Sequence, residues 1–138
     1  MDWKLEVVVV PVADADRAKA FYSDKLGFTI DVDHRAGDAF RVVQATPPGS
    51  ACSITFGVNV GGGAPGTVKG LHLVVDDIEA AHRQLQSAGV ENSGTQHFVD
   101  GVMTPGADPQ RVDYGSFIFF DDPDGNSWAV QEVRHHMR

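Results

Sequence analysis

An α+β fold built from two copies of one strand–helix–strand–strand–strand unit is predicted by three observations. Two amphipathic helical stretches each follow a β-branched run, and each stops at a glycine. The remainder of either half reads as short strands between Gly, Asp and Pro turns. A glycine-rich segment, GGGAPG at residues 61–66, separates the halves.

The first half opens with LEVVVVPV, residues 5–12, a β-branched run that predicts a buried strand. Asp14 then offers a helix cap, and Ala15, Ala18, Phe21, Tyr22 and Leu26 share one face of the helix that follows. Gly27 ends that helix. FTIDVDH, FRVVQA and CSITFGV supply three more strands. Single Cys52 lies in the last of these and reads as a small core residue, which excludes an internal disulfide and a multi-cysteine zinc site.

After the linker the order returns. GLHLVV predicts a strand, and Asp76 with Glu79 makes a capping-box pattern for a helix whose apolar face is Ile78, Ala81, Leu85 and Ala88. Gly89 ends it, and GTQHF, SFIFFD and SWAVQEV follow as strands. Laying residues 7–14 over residues 70–77 needs a shift of 63, and the two helix-ending glycines lie 62 apart, so an internal duplication is the simplest account. The organisation is a single domain over residues 1–138. Module one covers about residues 1–60, module two about residues 67–133, and a charged tail residues 134–138. One helix covers one face of a sheet, and the opposite face is left for a ligand or a partner.

Bulk properties narrow the function. At 138 residues, 42% hydrophobic and 22% charged, the chain has the composition of an ordinary globular domain. Its net charge of −8 opposes nucleic-acid binding and permits neutral or cationic small ligands. No apolar run reaches membrane-span length, and the polar start MDWKLE lacks a signal peptide's basic region, so a cytoplasmic location with no membrane partner is expected. A dinucleotide fingerprint, a phosphate loop and a Ser–His–Asp nucleophile pattern are all missing.

Three stretches carry a family resemblance: VPVADADRAKAFYSDKLGF, LHLVVDDIEAAHRQLQSAG and DDPDGNSWAVQEV. Together they resemble the vicinal oxygen chelate superfamily, the glyoxalase, bleomycin-resistance and extradiol-dioxygenase group. The resemblance implies two βαβββ modules forming an incomplete barrel around a cleft, often across a homodimer. In catalytic members a divalent metal is held there by His, Gln or Glu from the first and last strands of each module. Those places fall here on Val7, Ser53, Gly70 and Ala129, which supply no tight site for a divalent metal. No metal or other cofactor is therefore expected. A site shifted one pleat along would use His72 and Gln131, with Val9 and Thr55 as poor further ligands; Glu132 has the wrong parity.

Strand parity applied to that implied cleft lines it with Val7, Val9, Ser53, Thr55, Gly70, His72, Val74, Ala129, Gln131 and Val133, an apolar wall with a few polar groups. His72 is the candidate catalytic base. Residues 99–116 read as a long loop, with Arg111 and Tyr114 placed to close over a ligand and His97 nearby. By parity Trp128 is a core residue. Trp3 covers a sheet edge or a dimer contact. His82 is read as exposed, His34 as a turn residue, and His135 and His136 as a frayed tail. Two functions follow from the resemblance. The first is a small-molecule binder that sequesters a drug or metabolite in a metal-poor cleft. The second is a glyoxalase-like lyase or isomerase, or a dioxygenase, acting on a small carbonyl or aromatic substrate with His72 as base or as ligand of a shifted metal.

Overall fold

Asp14 and Asp77 start the two helices in the same way. Each has extended backbone (φ −134° and −144°), and its carboxylate accepts the N–H groups of the residues two and three further on. The second cap is Asp77 rather than Asp76. The capping box is therefore not formed, because the residue three after Asp77 is Ala80; Glu79 turns instead towards Arg111, 3.5 Å away. The two caps are 63 residues apart (77 − 14), the same shift as between the module sequences.

The computed structural model describes residues 1–135 and divides into two units. One comprises residues 1–68 with 122–126; the other comprises residues 69–121 with 127 onward. His136 lies outside the described residues.

In the first unit the elements run β1 (Val7–Val9), α1 (Ala15–Ala20), a wider π-helical turn (Phe21–Lys25), β2 (Thr29–Ala36), β3 (Phe40–Thr46) and β4 (Ser53–Val58). The sheet order is β1-β4-β3-β2, with β1 parallel to β4 and the other pairs antiparallel. Only three residues of the predicted eight-residue first strand join the ladder. The extended run nevertheless bonds β4 on both sides of it, through Ser53 N to Glu6 O and Val10 N to Thr55 O. Val10, Val43, Ala45, Ile54 and Phe56 are buried with Ala18, Phe21 and Tyr22 of the helix, and the Tyr22 ring lies 5.6 Å from those of both Phe28 and Phe56. Gly27 takes φ +75°, the left-handed conformation that ends the helix at little cost only for glycine.

Two readings of this unit change. Cys52 is half-buried and precedes β4, because the strand begins only at Ser53. His34 sits inside β2 opposite Val42 rather than in a turn. Trp128 is buried as parity predicts, whereas Trp3 is 89% exposed.

The second unit runs β5 (Leu71–Val75), α2 (Ile78–Ser87), β6 (Gln96–Val99), β7 (Val102–Pro105), β8 (Ser116–Asp121) and β9 (Ser127–Glu132), in sheet order β5-β9-β8-β6-β7. This unit holds one strand more than the predicted four. Residues 99–116 are not one loop, since Val102–Pro105 folds back on β6 through a two-residue Asp100–Gly101 turn. Both turn residues have positive φ (51° and 79°), the geometry an Asp-Gly hairpin favours. His82 is half-buried on its helix rather than exposed.

The turn at residues 122–126 is bonded throughout the first unit. Buried Asp122 accepts the Tyr22 hydroxyl at 2.7 Å, and Asn126 donates to Pro11 O at 2.9 Å while accepting from Val68 N at 3.1 Å. Asp124 Oδ1 accepts from Ala13 N and from Arg17, at 3.0 and 2.9 Å. Replacing Tyr22 with Phe removes a donor from a buried carboxylate. The expected loss is about 1.5–3 kcal/mol, measured as a lower urea midpoint at unchanged slope.

Candidate ligand-binding face

The run Ser-Phe-Ile-Phe-Phe-Asp in β8 alternates sides. Ile118 and Phe120 are buried against the α2 side with Trp128, Val130, Ile78 and Leu85, and Phe117 and Phe119 therefore lie on the opposite face. The ladder places Phe119, Ala129 and His72 in one row across three strands, with Phe117, Gln131 and Val74 in the next. Phe117 and Phe119 stack with centroids 5.8 Å apart and planes 7° apart. Phe98 of β6 meets Phe117 edge-on at 5.5 Å.

The structure thus brings together His72, Ala129 and Gln131 from the predicted site. His72 is exposed, and its Nδ1 lies 3.3 Å from Gln131 Oε1; Gln131 Nε2 donates to Tyr114 O at 3.2 Å. Val133, next on this parity, is buried. Gly70 lies ahead of β5 with φ +80°, so the residue beside Ala129 is His72 rather than Gly70. His97 pairs with Ser116 and falls on the other face of the sheet, where its Nδ1 meets Gly106 O at 2.8 Å. Phe98, Phe117 and Phe119 are the residues the sequence reading did not select. The strict alternation of residues 116–121 is the signal that points to Phe117 and Phe119; Phe98, on β6, follows only from the pairing of β6 with β8.

Arg111 is held on the helix side. Its Nε donates to Glu132 Oε1 at 2.8 Å and its terminal nitrogen to Glu132 Oε2, with Asp77 at 3.4 Å. Glu132 is fully buried and also accepts the Ile78 N–H at 2.8 Å, at the start of α2. The Arg111 guanidinium holds the Glu132 carboxyl below its ordinary range, against the opposing effect of burial, and the Ile78 N–H adds to the lowering. Arg111 is itself pushed further up by the same hydrogen bond. Its backbone takes φ +52° and that of Tyr114 φ +67°, uncommon for residues with side chains, so the ion pair stabilises a strained loop. Tyr114 is 51% exposed, and its N–H donates to Glu132 O at 2.8 Å.

In the first unit Val7 pairs with Ser53 and Val9 with Thr55, all four on the sheet face opposite α1. Ser53 Oγ lies 2.6 Å from Thr46 Oγ1, which also donates to Asp31. A separate pocket of about 240 Å³ in this unit is lined by Pro11, Gly57, Asn59 and Gly61 among others, with no ionisable side chain at its wall. Arg41 is buried on the helix side between Asp33 and Asp16, and its hydrogen bonds hold both carboxyls below the usual range.

The donor chemistry at the places the resemblance assigns to a metal is poor. Val7 and Ala129 carry no donor atom, and Ser53 offers a neutral hydroxyl already bonded to Thr46. Among the described residues no three His, Cys, Asp or Glu side chains stand close enough to hold a metal ion. No helix among them is long and apolar enough to cross a membrane.

A family model described as glyoxalase/bleomycin resistance protein/dioxygenase superfamily matches residues 4–130. The chain belongs to this superfamily. Two sheets of four and five strands with two helices agree with the structures it resembles. The crystal structure of TnmS3, an antibiotic binding protein from Streptomyces sp. CB03234, is 30% identical with TM-score 0.75, covering 96% of this chain and 97% of that one. A glyoxalase/bleomycin resistance protein from the same organism is also 30% identical, with TM-score 0.71 and coverage of 94% and 100%. The uncharacterized protein YetH of Bacillus subtilis is 25% identical over 130 residues, 94% of this chain and 98% of its own.

The Glu132–Arg111 pair makes a pH-dependent contribution of definite sign. Because the folded carboxyl titrates below its ordinary 4.5, the pair stabilises above that pH and its contribution is lost as pH falls through the lowered value. Glu132→Gln is expected to be less stable at neutral pH by about 3 kcal/mol. Urea titrations from pH 7 to pH 3 should show the gap between variant and parent closing below about pH 4.5.

Proposed function

We propose that this protein binds a small organic molecule without a metal and sequesters it, as an antibiotic-binding member of the superfamily. The observation that carries the reading is the side-chain chemistry at the strand pairs where a catalytic member would hold its ion. Val7 stands beside Ser53, and Ala129 beside His72, so one imidazole is the only strong donor among them. The part-exposed phenylalanines on the face of β8 and β6 support it, since aromatic walls with few polar groups suit small organic ligands. So does the 30% identity, over nearly the full length of both chains, to TnmS3, which is an antibiotic binding protein. The homodimer implied by the family remains the expected assembly, and exposed Trp3 is available to it.

A second reading is favoured by the His72–Gln131 contact, which holds an imidazole in place as a general base would need. On it the protein is a lyase or isomerase of a small carbonyl compound.

The deciding experiment has two parts. The protein is loaded separately with Zn²⁺, Ni²⁺, Mn²⁺ and Fe²⁺, dialysed, and its metal counted. It is then titrated calorimetrically, in chelator, with a panel of antibiotics from aromatic, aminoglycoside and macrolide classes. Negligible retained metal together with binding of at least one compound in chelator is the expected result. One metal per chain, lost in His72→Ala, would overturn the sequestering reading in favour of metal-assisted catalysis.

A further inference from the structure

The orientation of His72 is set by a chain of groups whose roles leave no choice. A backbone carbonyl only accepts, so at Tyr114 O the Gln131 amide must present its nitrogen, as it does at 3.2 Å. Its oxygen therefore faces His72 Nδ1, 3.3 Å away. That oxygen also only accepts, so Nδ1 carries the ring proton. A neutral imidazole protonated there has Nε2 as a bare acceptor, and His72 is exposed.

The same face defines what shape can approach that acceptor. Phe117 and Phe119 stack on each other, 5.8 Å apart and within 7° of parallel, and Phe98 meets Phe117 edge-on at 79°, so the three rings form one aromatic cluster on this face. Phe119 and His72 flank Ala129 in one row, two strand spacings apart, or roughly 10 Å. The methyl of Ala129 is the only side chain between them in that row. An aromatic ring system packed against this cluster has the imidazole within reach of its edge, across Ala129.

We infer that this face selects an aromatic molecule carrying a hydroxyl or amino hydrogen at its edge, with the rings packed against the Phe98, Phe117 and Phe119 cluster and the hydrogen donated to His72 Nε2. The inference rests on the ligand-binding reading and names the ligand chemistry of that site. It also assigns Gln131 as a positioning residue, which acts by holding the imidazole tautomer.

A matched pair of probes tests it: 2-naphthol, and 2-methoxynaphthalene, which keeps the rings but has no hydrogen to donate. Both are titrated calorimetrically into the full chain in chelator. The naphthol is expected to bind about tenfold more tightly, the worth of one well-made hydrogen bond. His72→Ala should bring both to the affinity of the ether. Gln131→Leu, which frees the ring to take either tautomer, should shrink the preference without abolishing binding. Phe117→Leu should weaken both probes by the same factor. Far-UV circular dichroism and urea midpoints confirm that each variant is folded. Equal affinities in the parent, or a preference that survives His72→Ala, would overturn the hydrogen-bond assignment. Failure of both probes while the antibiotic panel yields a non-aromatic ligand would overturn the aromatic assignment and leave metal-independent binding standing. Failure of both probes and of the whole panel would remove both readings together.

Discussion

The buried carboxylate of Glu132 is the group on which the second unit's functional geometry depends. It receives the first amide of α2 and the fork of Arg111, and so joins the last strand, the helix start and the loop in one bonded cluster. Burying a charge is unfavourable unless its partners are complete, and here one planar cation and one N–H supply them. The loop does not stay put on its own account, since Arg111 and Tyr114 both adopt left-handed backbone. Once held, it presents the Tyr114 carbonyl to Gln131, and Gln131 in turn meets His72. A structural ion pair on one side of the sheet thus determines the chemistry offered on the other.

That division of labour separates two residues that look equally functional. Arg111 is a cation in a loop and invites the reading of a ligand clamp, yet three carboxylates surround it. Gln131 is an unremarkable amide whose bonds are long, at 3.2 and 3.3 Å. Long as they are, those bonds fix which Gln131 atom faces the imidazole, whereas the bidentate Arg111–Glu132 pair fixes the loop. The polar part of the face is small, and the rest is a wall of phenyl rings and aliphatic side chains.

Much of the architecture was legible because it follows local rules. Asp14, Gly27 and Gly89 announce helix ends through properties of their own side chains, and the glycines' φ values of +75° and +73° are ones other residues avoid. The face parity of Trp128, Ala129 and Glu132 came from the place the family resemblance gives Ala129 together with the period-two pattern of a strand. Where Asp76 and Asp77 both could cap, sequence did not discriminate, because the choice depends on which residue leaves the β5 ladder in extended conformation. Strand β7 was hidden by its four-residue length and its terminal Pro105, although Asp100–Gly101 flanked by Val99 and Val102 carries a hairpin signal. The partnership of Arg111 with Glu132 spans 21 residues without any periodicity to suggest it. The tautomer of His72 lies further still from sequence, since it depends on a backbone carbonyl 42 residues away (114 − 72).

The turn at residues 122–126 has a consequence for how the chain acquires its structure during synthesis. Residues 1–68 contain every strand and helix of the first unit, yet the Tyr22 hydroxyl and the Pro11 carbonyl find the partners described here 100 and 115 residues downstream. A nascent chain made as far as residue 68 holds all of that unit's strands and helices but not yet the turn that bonds the Tyr22 hydroxyl, the Pro11 carbonyl and the Val68 amide. Those bonds wait until Asn126 has been made, and the 115-residue loop they close costs more chain entropy than any contact within residues 1–68.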